Sequence, residues 1–349
     1  MRKYLMPLLI AILFVVIMGV SWSGRVDEYV QLILMYIGIN LILTVSLNLI
    51  NGYMKEYSVG HAAFMAVGAY VCGILTVWLF AQDDVFGPPV LPPGSALVLF
   101  PLILIVGGIA AAIAGLLVAF PSFNTRGDYL AIVTLAVNFI VKSAIENMEA
   151  IGGPRGFMGM KKVVNAMTAV FDAPWILFWI FVWAVIAFWL VRNFVSSTYG
   201  KGIIAIGSDE EAAELMSVNT RRIKVITFML SCGLAGVAGG LFAHILGYVN
   251  PGTFNVMKSV EMMVMVYLGG MGSLSGSFIA AVLFTLLLEV LRPLGIFKWV
   301  AIPACLILLM IFRPTGLMGD RELTDIFPQL RTWFGLHEEE VRAHASVSD

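Results

Sequence analysis

The sequence predicts an all-α fold, a polytopic membrane bundle of about ten transmembrane helices including short or re-entrant segments. Three observations carry that expectation. Of 349 residues, 60% are hydrophobic and only 12% are charged, against roughly 25% charged in soluble domains. Apolar runs of about 20 residues, the length that crosses a bilayer, recur along the chain. Within one of them, small residues recur every four positions, the pattern that lets membrane helices touch at their backbones.

The runs fall at 5–23, 29–50, 58–81, 96–120, 128–149, 174–192, 223–247, 259–271, 274–291 and 296–312. The first follows Arg2 and Lys3 without a clear small-residue cleavage site after it, and reads as a retained signal anchor. DDVFGPPVLPPGS at 83–95 breaks the helix pattern with Pro and Gly. Lys142, Glu146 and Glu149 lie near the outer end of the fifth run, where an interfacial i,i+4 pair is expected rather than a buried ion relay. The 259–271 run is too short for a straight crossing and is expected to be broken or re-entrant. Lys and Arg in the loops favour both termini on the cytoplasmic side. The domain expectation is a transmembrane body over 1–313, with a cytoplasmic loop at 200–222, and a cytoplasmic tail at 314–349. In the tail Leu330, Trp333 and Phe334 share one helical face, which fits a helix on the inner membrane surface or a loosely ordered end.

One stretch, IGSDEEAAELMSVNTRRIK at 206–224, does not belong in lipid. Ser208 and Glu211 have capping-box spacing, which predicts a helix starting at Asp209. Asp209, Glu210 and Glu211 then meet the positive end of the helix dipole. Ala212, Leu215 and Met216 share a face, with Ala213 and Ser217 on an adjacent small stripe. Asn219 or Thr220 caps the next helix, whose Arg221, Arg222 and Lys224 are expected at lipid phosphates. Two readings fit this element. It is a solvated connector, or a knob whose small face enters a groove on a cytoplasmic partner while acidic neighbours meet a basic rim.

The seventh run carries two ladders, Ser231, Ala235, Gly239 and Ala243, and Cys232, Gly236 and Gly240. They fit tight static packing or an interface that moves. Asn40, Asn48, Thr134 and Asn138 are polar groups within runs and need partners there. They bond between helices or line a solute path. His61 is a helix-start residue or part of a gate. The net charge of −1 gives no sign of nucleic-acid binding, and the three Cys and four His have no metal-ligand spacing. No catalytic constellation is visible.

DEEAAELMSVN resembles the cytoplasmic EAA-type loop of ABC importer permeases. GYMKEYSVGHAAFMAVGAY (52–70), TRGDYLAIVTLA (125–136), IGGPRG (151–156), VYLGGMGSLSGSFIAA (266–281) and FRPTGLMG (312–319) follow in the family's order. Together they are similar to the LivM-type permease subunit of branched-chain amino acid importers, over nearly the whole chain. The resemblance implies ATPase docking through Asp209, Glu210, Ala212, Ala213, Glu214 and Ser217. Separately, the small-residue spacing of Ala235, Gly236, Gly239 and Gly240, directly after that loop, reads as helix packing or as coupling to the loop. The chain departs from the family where Ser217 replaces a Gly, and where MKEY stands in place of the stretch before Ser58 in the pattern GYAGQLSLGHAAF. No G-x-x-x-x-G-K-[ST] phosphate loop occurs, so the energy source is expected elsewhere, and the resemblance implies ATP and Mg on partner subunits with no cofactor bound by this chain. The implied partners are two cytoplasmic ATPases, a second related permease, an extracytoplasmic amino-acid-binding protein and membrane lipid, in the inner membrane of a bacterium. The alternative, an ion-coupled secondary transporter of small solutes, needs midplane carboxylates. Only Glu261 and Glu289 qualify, and Glu289 can pair with Arg292 at i,i+3.

Overall fold

A computed structural model describes residues 27–81, 87–123, 129–297 and 315–319, with scattered positions at 19, 300, 303, 304, 307 and 311–313. The first predicted run, most of the last, and nearly all of the tail with Leu330, Trp333 and Phe334 lie outside the described residues. Within them the fold is helical. The helices in chain order are α1 (Glu28–Asn48), α2 (His61–Phe80), α3 (Ala96–Ser122), α4 (Tyr129–Glu146), α5 (Met160–Val170), α6 (Trp175–Ser196), α7 (Thr198–Ser208), α8 (Glu210–Leu215), α9 (Thr220–Leu246), α10 (Val256–Gly269) and α11 (Leu274–Val290). Six are long and apolar enough to cross a membrane: α1 with the π-helical turn Leu49–Tyr53 that continues it, α2, α3 with its short 3-10 start, α4, α6 and α9.

The centre of the bundle is α9 held between α2 and α3, with α1 packed against α6 and α11. Apolar tails offer lipid as much as protein, so close van der Waals fit, rather than exclusion from water, holds such helices together. The ladder residues supply that fit. A Cβ built on Gly68 of α2 would lie 2.1 Å from the Gly236 carbonyl oxygen of α9, and one on Gly239 would lie 1.9 Å from the Met65 carbonyl oxygen. A Cβ on Gly236 would lie 2.4 Å from Ala111 Cβ of α3, and one on Gly240 would lie 2.6 Å from Cys72 Sγ. Ala235 is fully buried beside them. Backbones therefore touch on two sides of α9. At Gly68 and Gly239 the facing backbone leaves no room for even a methyl.

The short 259–271 run forms α10, 14 residues long, and turns into α11 through Gly270 (φ +114°) and Gly272 (φ +82°). Asn48 of α1 fastens this turn, because its Nδ2 donates to the Ser273 carbonyl and to Ser277 Oγ while its Oδ1 accepts from Gly272 N–H. The 315–319 segment returns to the same place, with Leu317 and Met318 N–H donating to the Leu268 and Gly269 carbonyls. These are orphan carbonyls at the end of α10, and they are satisfied within the chain.

At the opposite end of the long helices, IGGPRG makes a tight turn into a two-residue strand, β1 (Phe157–Met158), paired antiparallel with β2 (Tyr248–Val249). Gly156, at φ +85°, comes so close that a Cβ would lie 2.2 Å from the Val249 carbonyl oxygen. Turn chemistry accounts for the motif. The outward faces of α3 and α4 carry exposed Val98, Leu102, Ile109, Leu117, Ile132 and Phe139, as a lipid-facing surface requires. The expected Lys142–Glu146 pair forms at 3.7 Å, and Arg292 pairs with Glu289 at 3.1 Å.

Candidate functional site

The helix expected in the 206–224 stretch exists but starts one residue later than the capping box predicts. Ser208 ends α7, and its Oγ donates back to the Ile204 carbonyl. The N-cap of α8 is Asp209, whose Oδ1 accepts from Ala212 N–H at 3.0 Å. The Asp209 carboxylate caps in place of the Ser208 hydroxyl because α7 carries its own helical geometry through Ser208, leaving Asp209 as the first extended residue. After six residues α8 stops at Ser217, in the left-handed region at φ +65°. Asn219 caps α9 by accepting from Arg222 N–H.

Of the two stripes of α8, the first is exposed throughout, whereas the second is divided between a buried Ala213 and an exposed Ser217. Leu215 is 86% exposed and Met216 80%, and Ala212 between them is also exposed. Ala213 is 5% exposed and faces the body of the protein. The protruding apolar patch is thus Ala212, Leu215 and Met216, with Ala213 as its foundation. Much of the acidic rim is engaged internally. Asp209 is the cap, Glu210 pairs with Lys224, and Glu214 Oε1 accepts from Thr220 Oγ1 at 2.9 Å. Glu211 is exposed.

Lys224 is the residue sequence reasoning misplaced. Instead of reaching lipid phosphates, its side chain is 7% exposed, with Nζ 2.5 Å from Glu56 Oε1 and 2.8 Å from Glu210 Oε1. Arg221 lies over the Phe120 ring at 4.9 Å, within the bundle's own surface. One cation therefore ties α8 to the 54–60 segment that joins α1 to α2. The residues are 168 positions apart, so no local spacing could announce the pair. The only signal was the unusual acidic side chain at 56.

The polar residues proposed to line a path divide into two groups. Asn40 and Asn48 tie α1 to α11: Asn40 Nδ2 donates to Thr285 Oγ1 at 2.9 Å, and Asn48 holds the α10–α11 turn. His61, Thr134 and Asn138 instead converge at the start of α2. His61 Nε2 lies 2.8 Å from Ser46 Oγ, Thr134 Oγ1 accepts from Val59 N–H at 3.1 Å, and Asn138 Nδ2 donates to Ser259 Oγ at 3.2 Å. Ser46, Asn51, Ser58 and Ser259 belong to the same cluster and went unnoticed in the sequence, because a serine inside an apolar run carries no periodic signal. Among the described residues no group of His, Cys, Asp and Glu is arranged to hold a metal.

Residues 29–312 match the family model described as branched-chain amino acid transport system / permease component. The chain belongs to that permease family. It is 28% identical over 326 residues to the high-affinity branched-chain amino acid transport system permease protein LivM of Escherichia coli K12, a match covering 86% of this chain and 73% of that protein. LivM of Salmonella typhimurium LT2 is likewise 28% identical, over 91% of this chain and 75% of its own length. A shorter match, 31% identical over 136 residues, reaches the permease protein BraD of Pseudomonas aeruginosa and covers 37% of this chain and 43% of BraD. No solved structure matches.

Against this family background the permease's two departures acquire a common geometry. Lys55 (φ +54°) and Ser217 (φ +65°) are the two non-glycine residues with positive φ among those described. In the family pattern each position is glycine. The left-handed conformation is kept without the residue that suits it, at about 1–2 kcal/mol per position. Both strained turns flank the Lys224 ion pairs, next to Glu56 on one side and α8 on the other.

Proposed function

We propose that this permease is the membrane-spanning subunit of an ATP-driven ABC importer that moves branched-chain amino acids into the cytoplasm. Two cytoplasmic ATPase subunits, using ATP and Mg, bind the α8 knob. A second related permease completes the pathway, and an extracytoplasmic binding protein delivers the substrate. The chain spans a bacterial inner membrane with both termini inside, and lipid covers the apolar faces of α3 and α4. The observation that carries the reading is the exposed Ala212, Leu215 and Met216 patch on a polar helix, in a chain matched along most of its length by amino-acid permeases. Local pairing of the intramembrane carboxylates argues against ion coupling: Glu261 binds Lys258 at 2.8 Å and Glu289 binds Arg292.

The test is uptake by vesicles holding the complete complex. Leucine, isoleucine and valine should enter only with ATP, compete with one another and be insensitive to a collapsed proton gradient. Uptake driven by an ion gradient without ATP would replace this reading with the secondary transporter.

Coupling is proposed to run from α8 through Lys224 to the 54–60 segment. Lys224→Met leaves two carboxylates facing each other. Charge-assisted bonds contribute roughly 1.5–3 kcal/mol each, less here because Glu210 is half exposed. The expected result is an approximately tenfold lower uptake per ATP hydrolysed, with the ATPases still co-purifying. Unchanged coupling in this variant would show the ion pairs to be static.

A further inference from the structure

Four buried polar atoms have no hydrogen-bond partner among the described residues and sit around one turn of chain: Asn51 Nδ2, Ser58 Oγ, His61 Nδ1 and Asn138 Oδ1. Each of these residues is at most 3% exposed. The bonds they and their neighbours do make gather them at the start of α2. Ser58 N–H donates to Asn51 Oδ1 at 3.3 Å, and Val59 N–H donates to Thr134 Oγ1. Ala62 N–H donates at 3.0 Å to Ser259 Oγ, the same oxygen that receives Asn138 Nδ2. Thr134 and Asn138 lie one turn apart on α4. Native proteins leave few buried polar atoms unpaired, so four at one turn call for an explanation beyond stability.

Their chemistry is specific. Ser58 and Asn51 offer an O–H and an N–H₂, Asn138 Oδ1 only accepts, and His61 Nδ1 takes either role according to tautomer. The N-cap of α2 is Gly60, which brings no side chain to the positive end of the helix. No charged side chain takes part in the bonds that assemble the cluster. A lone anion or cation would find no countercharge here, whereas a zwitterion brings both charges and needs only donors beside acceptors. Phe64 and Met262, a turn beyond Gly60 and Ser259 on their helices, are fully buried and apolar.

We infer that this cluster binds the zwitterionic head group of an amino acid, an assignment that rests on the import reading above. The carboxylate lies against Ser58, Asn51 and the start of α2, and the ammonium against Asn138 Oδ1. The aliphatic side chain extends toward Phe64 and Met262.

Ser58 gives the decisive test, because its hydroxyl bonds to nothing described in the protein. A buried hydroxyl with neither a protein partner nor a ligand is dispensable, and its removal is neutral or stabilising. In the reconstituted complex, with leucine as the probe, Ser58→Ala should lower uptake per ATP at least about tenfold, equivalent to ~1.4 kcal/mol. Ser58→Thr, which keeps the hydroxyl, should retain most of the uptake, and Asn138→Leu should lose it. Hydrolysis stimulated by the loaded binding protein should persist in all three. Wild-type uptake per ATP in Ser58→Ala overturns the assignment, and so does failure of that variant to assemble, since the hydroxyl would then be structural. If the unmutated complex imports no amino acid, the import reading falls and this assignment with it.

Discussion

Gly239→Ala is expected to remove the folded permease from the membrane, although it adds a single methyl. The new Cβ would stand 1.9 Å from the Met65 carbonyl oxygen and 3.1 Å from the Ala69 nitrogen, both backbone atoms of α2. Overpacking a core costs about 1–3 kcal/mol when side chains can adjust; here only the separation of two helices provides relief. Gly236→Leu should fail equally, against Ala111 Cβ at 2.4 Å and the Gly107 carbonyl at 3.0 Å. Gly73→Ala is the control, since its Cβ would meet only the flexible end of Met160 at 3.4 Å. Monodisperse yield from solubilised membranes measures all three. Wild-type yield of Gly239→Ala would mean that α2 and α9 slide readily, and would return the ladder to a moving interface.

The second large effect is expected at α8. Leu215→Asp and Ala212→Arg should abolish recovery of the ATPase subunits while leaving the permease inserted and its yield normal. Both positions are exposed, so the substitutions disturb no internal contact. Burying a charge in a partner's apolar groove costs several kcal/mol, enough to dissolve a docking contact of this size. Ala213→Arg is not an equivalent probe, because Ala213 is buried and its variant would damage the loop itself. Full co-purification of the ATPases with Leu215→Asp would exclude α8 as the docking element.

The contrast between Ala212 and Ala213 shows where sequence reading stops. Apolar runs placed the helices to within a few residues, because in lipid a helix must satisfy its own backbone and its length is set by the bilayer. They also found α8, whose polarity is local. Which alanine faces outward depends on how α7 and α9 hold the helix, and that is tertiary information. Lys224 is the same case. Its charge suggested a surface, and a carboxylate 168 residues earlier joins Glu210 in making burial tolerable. Among the polar residues, Asn40, Asn48, Thr134 and Asn138 were legible as groups needing partners, but not which of them would find a complete set. Ser58 was invisible for a further reason: what distinguishes it is a bond it does not make.

Asn48 has a consequence for how the chain is made. Its three bonds reach Gly272, Ser273 and Ser277, some 225 residues later in synthesis. At about 5–20 residues per second, the ribosome needs on the order of 10–45 seconds to deliver them. Throughout that interval α1 holds a carboxamide whose partners have not yet been synthesised, so α1 cannot be released into bulk lipid without an unpaired polar group. The bonds of Asn48 are thus completed by arrival of the α10–α11 turn, rather than by entry of the first helices.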